Sequence, residues 1–357
     1  MSEASGRVAF DQEGFNSAAW PDPVAIDGIT STDRFFSRSH AAVPQIDPVT
    51  WRLEVGGMVE HPRRYSLAEI GAMSRHTVTA TLVCAGMRRA ELLTVAPLPG
   101  ELPWGAEPAA TGKWTGIPLP ELLERSGIAP GARYVEFAGL DRVDRDGRQF
   151  GFGGSIDLDK ARSGDVLLAT HLNDEPLTPR TGFPLRAIVP GWIGARSVKW
   201  LGAITLRHDP SENYFQTRAY RMQRIPDPAH PRDVSDGTAL IEVSLNSVIL
   251  HPRAGAIVEA GPLTVRGWAI GTGAAPLASI EVSPDNGVHW IPARTIPAGR
   301  WAWTLWEASM SFHPGKHVLA VRATDADGQT QPATLEEVWN VKGYCNNAWH
   351  RIAIEVA

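Results

Sequence analysis

The chain has 357 residues, 43% of them hydrophobic and 20% charged, with a formal net charge of −5 and two cysteines. That length favours two domains of unequal size with a sizeable core, and the composition excludes a largely disordered or low-complexity chain. The acidic balance leaves no electrostatic footprint for a nucleic-acid duplex, and two cysteines exclude a secreted disulfide framework, so reduced thiols are expected.

The opening "MSEASGRVAF" has neither an apolar signal core nor a twin-arginine pair, and no apolar run approaches the roughly 18 residues that span a bilayer. The chain therefore reads as cytoplasmic, or periplasmic if a leader has been removed, with no membrane partner. Strands are expected at the short apolar runs Val78–Val83, Tyr134–Phe137, Val166–Ala169 and Leu185–Val189. "SLAEIGAM" and "PLPELLERSG" have helical apolar spacing, with Pro120 suited to a first turn and Gly127 to a C-terminal cap. The glycine pairs in "EVGGMVE" and "FGFGGSI" do not stand between a strand and a helix in the dinucleotide spacing, and no P-loop string occurs, which disfavours nicotinamide and ATP.

"RIPDPAHPRDVSDG", Arg224–Gly237, holds three prolines among polar and acidic residues and can build neither a helix nor a central strand. It is the expected boundary between a mixed α and β domain, residues 1–228, and a second domain, residues 235–357. Beyond it "IEVSLNSVIL", "LTVRGWAI", "SIEVS", "HVLAVRAT" and "HRIAIEV" alternate at period two, with turns at Pro284–Gly287 and Asp325–Gly328 and no convincing helix. This spacing predicts an antiparallel, immunoglobulin-like β-sandwich without the antibody-type disulfide. The fold class is α+β followed by all-β.

The most informative stretch is "TATLVCAGMRRAEL", Thr79–Leu92, where a β-branched run ends at Cys84 and opens through Ala85 and Gly86 to Arg88 and Arg89. A free cysteine is most often a small buried hydrophobe. Here, however, Gly86 permits close backbone approach, and the two arginines would favour the thiolate that nucleophiles and metal ligands require. No cysteine-hydrolase signature surrounds Cys84, and no further Cys or His stands at zinc spacing beside it. One protein thiolate on a metal carried mostly by an organic cofactor fits better.

"TLVCAGMRRAEL" closely resembles the cysteine segment of the sulfite oxidase family of molybdenum enzymes. "FFSRSHAAVP" (Phe35–Pro44) resembles its amino-terminal pterin-contacting string, and "FPLRAIVPGWIGARSVKWLGAI" (Phe183–Ile204) its most recognisable block. The second half, with "WAWTLWE" and "AWHR", is similar to the family's dimerisation domain. These blocks follow the family's order from about Phe35 to the end of the chain.

The resemblance implies a mixed molybdopterin domain followed by the sandwich, and molybdenum-molybdopterin as cofactor, with Cys84 the sole protein ligand to the metal. A soft thiolate suits that role. It also implies that Phe36, Arg38, His40, Asp141, Thr181, Arg186, Ser197, Val198 and Lys199 hold the pterin and its phosphate. The backbone N–H groups and cations of "GARSVK" suit a phosphate. Arg38, Arg89, Trp104, Tyr220 and Arg300 match the pocket for a small oxyanion. The aromatics of "WAWTLW" are better read as core. Three residues depart from the family pattern: Met87 and Ser39 stand where asparagines are usual, and Thr181 where a histidine is common.

The implied activity is oxidation of sulfite to sulfate in a homodimer. No haem-attachment string occurs, so electrons would pass to an external acceptor such as a cytochrome or oxygen. The alternatives are a molybdenum-dependent reductase of nitrate or another oxo compound, and a non-catalytic molybdopterin-binding protein. The Arg38, Arg89, Tyr220 set argues against the second.

Overall fold

In the computed structural model, residues 7–9, 16–21, 28–145, 147–223 and 237–357 are described. The expected linker, apart from Gly237, and the limits 228 and 235 lie outside them. The described residues fall into two compact units, one drawn from Met1–Ala19, Ser31–Val78 and Gly112–Ile241, the other from Trp20–Thr30, Thr79–Thr111 and Glu242–Ala357.

The first unit is built on a five-stranded sheet in the order Gly153–Asp157, Tyr134–Gly139, Leu201–Arg207, Arg52–Gly57, Arg63–Ser66. Only Leu201–Arg207 and Arg52–Gly57 run parallel. Period-two alternation turns Leu53 and Val55 inward, onto a core with Ile70, Leu122, Val135, Phe137 and Ile204. Ser66 and Glu69 form a reciprocal capping box on the helix Leu67–Gly71. The helix Leu119–Ser126 takes Pro120 in its first turn and ends at Gly127, whose φ of 65° is left-handed. A further sheet has the order Glu175–Pro176, Leu167–Leu172, Ala109–Pro118, His76–Val83, with Arg186–Ile188 beside Leu167–Leu172. The expected strands and helices of this half all form, within a few residues at their ends.

The second unit contains two sheets. One runs Asn246–His251, Gly261–Ile270, Thr304–Phe312, Arg294–Pro297, and the other Ile257–Val258, His350–Val356, Gly315–Asp325, Leu277–Ser283, Ile291–Pro292. Ile249, Val265, Ala269, Val282, Trp306, Leu319, Val321 and Ile352 fill one core, as expected of a sandwich. The opposite face of the first sheet is buried as well. Val248, Leu250, Trp268, Ile270 and Trp303 pack there with Val83, Met87, Ala106 and Ala109, which is why the segment Thr79–Thr111 belongs to this unit.

Two expectations shift. "IEVSLNSVIL" is strand only from Asn246, and at its start the Ile241 carbonyl accepts from the Ile193 N–H at 3.0 Å in the first unit. Beyond the expected linker one short helix, Leu335–Val338, also forms among the described residues, opened by a capping box of Thr334 and Glu337. The "WAWTLW" aromatics Trp303 and Trp306 are buried core, as expected. Among the described residues no helix is long and apolar enough to cross a membrane.

Candidate functional site

In the first unit the "FFSRSH" string folds back on itself. One Arg38 guanidinium N–H donates to Asn16 Oδ1 at 2.9 Å and also to the Ser39 carbonyl, and Nη2 lies 3.3 Å from His40 Nδ1. A guanidinium can only donate, so Nδ1 is the acceptor and the His40 proton sits on Nε2. That Nε2–H donates to the Tyr220 hydroxyl at 2.9 Å. The imidazole is stacked on Phe152, 5.3 Å away and nearly parallel, and leans on Phe215 at 4.3 Å. Burial, and then the charges of Arg38, Arg145 and Lys199, hold its pKa well below the ordinary histidine value. His40 is therefore a neutral donor.

The "FPLRAIVPGWIGARSVKW" block supplies the floor of the same cluster. Arg186 donates to the Thr181 carbonyl at 2.8 Å and the Ser197 carbonyl at 3.0 Å, and lies 4.9 Å over the Trp114 ring. Ser197 Oγ accepts from Val189 N at 3.0 Å, and Val198 is core. Thr181 Oγ1 is spent on Thr178 N, 2.8 Å away, so this residue contributes its carbonyl to Arg186. Gly182 has φ 113°, and a Cβ there would meet Arg186 and Lys199 Cβ atoms at 3.1 and 3.2 Å. Phe36 joins through Phe35, which stacks on it and meets Trp114 edge-on.

Lys199 donates to Ser39 Oγ at 2.7 Å and lies 4.2 Å over the Trp200 ring. Its ammonium is held well below the usual lysine pKa by desolvation, with Arg186 adding like-charge repulsion. Desolvation also brings Arg186 down to about 9. Among the described residues the carboxylate acting on Lys199 is Asp141, pushed up by burial. Its Oδ1 accepts from Phe152 N at 2.8 Å, while Oδ2 is buried without a partner among the described residues, as is Arg186 Nε. All the first-unit residues singled out from sequence thus form one connected cluster.

Sequence reasoning missed Arg196. It is 1% exposed, with Nη2 on the Leu240 carbonyl at 3.2 Å, while Nε and Nη1 find no partner among the described residues. Tyr220 is its electrostatic neighbour. The only signal in the sequence was its place inside "GARSVK".

In the second unit Cys84 follows the strand His76–Val83 and is a buried free thiol. Its N–H donates to the Pro108 carbonyl at 2.9 Å, and its carbonyl accepts from Met87 N at 3.0 Å, closing a tight turn. Arg88 has φ 62°. Its fully buried guanidinium grips Glu91 with two 2.8 Å bonds and also reaches Asn246 Oδ1 and the Ala348 carbonyl. Arg89 donates to the Lys342 and Leu102 carbonyls, lies 3.3 Å from Glu101 and packs against Gly86. Both arginines thus carry a carboxylate partner. Trp104 is fully buried, and its carbonyl accepts from Ala90 N, one residue beyond Arg89. Arg300 is exposed, 4.5 Å over the Trp301 ring, and the Trp301 carbonyl accepts from Thr81 N on the strand that leads to Cys84.

Residues 40–215 match the family model for the oxidoreductase molybdopterin binding domain, and residues 238–357 that for the Mo-co oxidoreductase dimerisation domain. The chain is 36% identical to the sulfite oxidase of Gallus gallus over 95% of its own length and 76% of that protein's. It belongs to the sulfite oxidase family. To the mitochondrial sulfite oxidase of Homo sapiens the identity is 34%, and this chain spans 65% of that relative's length. The crystal structure of the sulfane dehydrogenase SoxCD from Paracoccus pantotrophus has the same fold, with a TM-score of 0.77 and 24% identity over 100% of this chain and 88% of that one.

Membership of the sulfite oxidase family makes molybdenum-molybdopterin the cofactor. The first unit fits it physically. Arg186, Arg180 and Arg38 act as like charges on the buried Lys199, with Asp141 as the opposing carboxylate, and charge taken out of water needs a compensating partner. A phosphate would supply that partner, and Asp141 Oδ2 and Arg186 Nε are buried polar atoms left to be satisfied.

Proposed function

We propose that this chain is a molybdenum-cofactor oxidoreductase that oxidises sulfite to sulfate and passes the electrons to an external acceptor, a cytochrome or oxygen. The observation that carries the reading is the excess of desolvated cations around Lys199 and Arg186 in the first unit. When bound, the cofactor supplies the two-electron oxygen-atom transfer.

The chain's own residues bind and orient. Cys84 would be the protein's single sulfur ligand to the metal. Lys199, Arg186 and the Ser197–Val198 backbone would hold the phosphate, with His40, Asp141, Thr181 and Phe36 along the pterin. Arg38, Arg89, Trp104, Tyr220 and Arg300 are the proposed substrate residues. His40 donates to the Tyr220 oxygen and so fixes the position of the phenol, which would face the oxyanion as a hydrogen-bond donor. Fixed donors of this kind lower the barrier without reorganising during the reaction.

We further assign residues 1–228 as the catalytic domain and residues 235–357 as the domain that makes a homodimer. Sedimentation at micromolar concentration should give a dimer, and a monomer alone would sink that assignment. For the cofactor reading, molybdenum and pterin are measured in the purified protein and in Cys84→Ser. The wild type should hold both, and the variant should keep its fold and lose essentially all turnover. Full activity in metal-loaded Cys84→Ser would contradict it.

A further inference from the structure

Within the second unit, the turn that carries Cys84 is bonded to the nearby stretch 102–108 and is also fastened to the distant segment 342–348. Cys345 N donates to the Ala85 carbonyl at 2.7 Å. Arg89 Nε donates to the Lys342 carbonyl and Arg88 Nη1 to the Ala348 carbonyl, both at 2.8 Å. Asn346 is central, since its Nδ2 donates to the Arg88 carbonyl at 2.9 Å and to Glu91 at 3.2 Å, and its Oδ1 accepts from Ala348 N at 3.2 Å. Asn246 braces it, donating to the Asn346 carbonyl at 2.8 Å while accepting from Arg88. Asn346 and Arg88 are 0% exposed and Asn246 3%. Gly343, at φ 57°, lets the segment come this close, because a Cβ there would lie 2.6 Å from Leu98 and 2.7 Å from Arg89 Cγ.

Satisfying buried polar groups would by itself account for some of these bonds. It does not account for where they converge. Two of them fall on the backbone of the turn itself, on the carbonyl of Ala85, next to Cys84, and on the carbonyl of Arg88, a non-glycine residue in left-handed backbone. Such a conformation persists only where its surroundings over-determine it.

We propose that Asn346 is a positioning residue for the Cys84 sulfur, acting through the Arg88 carbonyl to hold the Cys84–Arg89 turn in one shape. The proposal rests on the reading of Cys84 as the metal ligand. Groups that orient a ligand from behind it typically change metal affinity or activity by about 10- to 100-fold when removed. Asn346 does this for a backbone turn, as a hydrogen-bonded carboxylate does for a metal-bound imidazole.

The test compares holoenzyme of wild type, Cys84→Ser, Asn346→Ala and Asn246→Ala by molybdenum content, the thiolate-to-metal charge-transfer band and cooperative thermal unfolding. Asn346→Ala should unfold cooperatively, show a shifted or weakened band and turn over about 10- to 100-fold more slowly. Asn246→Ala should show the same change in smaller measure. Lowered unfolding midpoints with a wild-type band and full molybdenum in both variants would mean a merely structural role and overturn the proposal. Should Asn346→Ala fail to fold, an unchanged band in Asn246→Ala overturns it alone. A wild-type band that survives in Cys84→Ser defeats the Cys84 reading itself, and the proposal with it.

Discussion

Tyr220 holds a left-handed backbone, φ 44°, and is 5% exposed, with its oxygen already engaged by His40 Nε2–H. Replacing it by phenylalanine removes the hydroxyl both as a donor to substrate and as the acceptor of the His40 Nε2–H, so Tyr220→Phe should lower kcat for sulfite about 100-fold and cost about 1–3 kcal/mol of stability. Steady-state kinetics with an artificial acceptor checks this, and a wild-type kcat would remove Tyr220 from the site. His40 is neutral across the working range, since burial and neighbouring cations depress its pKa. The kcat profile should accordingly show no histidine limb between about pH 6 and about pH 8. At this scale the sequence was informative for residues whose type is itself unusual in context. Cys84 stood out as an isolated thiol before a glycine. Arg88 and Arg89 looked alike, because the partners that make Arg88 a structural hub lie 158 and 260 positions away. Arg196 was missed for a related reason, since an arginine with two nitrogens left over is invisible until the chain is folded.

The strands show how packing overrides local pattern. Asn246–His251 is buried along nearly all its length because the sandwich core covers one face and the Cys84 segment the other. Only Val248, Ile249 and Leu250 within it form an unbroken apolar run, and the sequence could not say what covers the second face. Its neighbour Gly261–Ile270 makes this concrete at Gly267, where a Cβ would stand 1.9 Å from the Val248 carbonyl and 2.4 Å from the Trp306 ring. Gly267→Ala should destabilise the protein by about 3 kcal/mol, the upper end for overpacking. Denaturant unfolding measures it, and a change below about 0.5 kcal/mol, as at an ordinary surface site, would contradict this packing. Period-two alternation and the proline-rich break made the sandwich legible. The division into units was not, because the return of Thr79–Thr111 to the second unit depends on Val83, Met87 and Ala106 finding Trp268 and Trp303.

The stability of the whole molecule should depend on one buried network. His350 accepts from Ile249 N at 3.1 Å, and desolvation, with Arg88 adding repulsion, depresses it to about 4. The unfolded chain protonates this imidazole near pH 6.5 and the folded chain only near pH 4, so the unfolded state binds more protons between those values. Stability therefore falls as pH drops through that window, by up to about 3 kcal/mol at 1.36 kcal/mol per pH unit, and the His350 contribution levels off below it. Glu91, whose pKa is lowered chiefly by Arg88 against the opposing effect of burial, loses its contribution below the ordinary carboxylate range, in the same acid direction. His350→Gln should flatten the profile between pH 6.5 and 4 in thermal unfolding, whereas an unchanged slope would remove His350 as its source.

Whether this chain oxidises sulfite is decided by one paired measurement on the metal-replete protein, kcat/KM for sulfite with an artificial acceptor against kcat/KM for nitrate with a reduced dye. Rapid sulfite oxidation and negligible nitrate reduction are expected, with sulfite turnover abolished in Cys84→Ser. Fast nitrate reduction with negligible sulfite oxidation would contradict the sulfite reading.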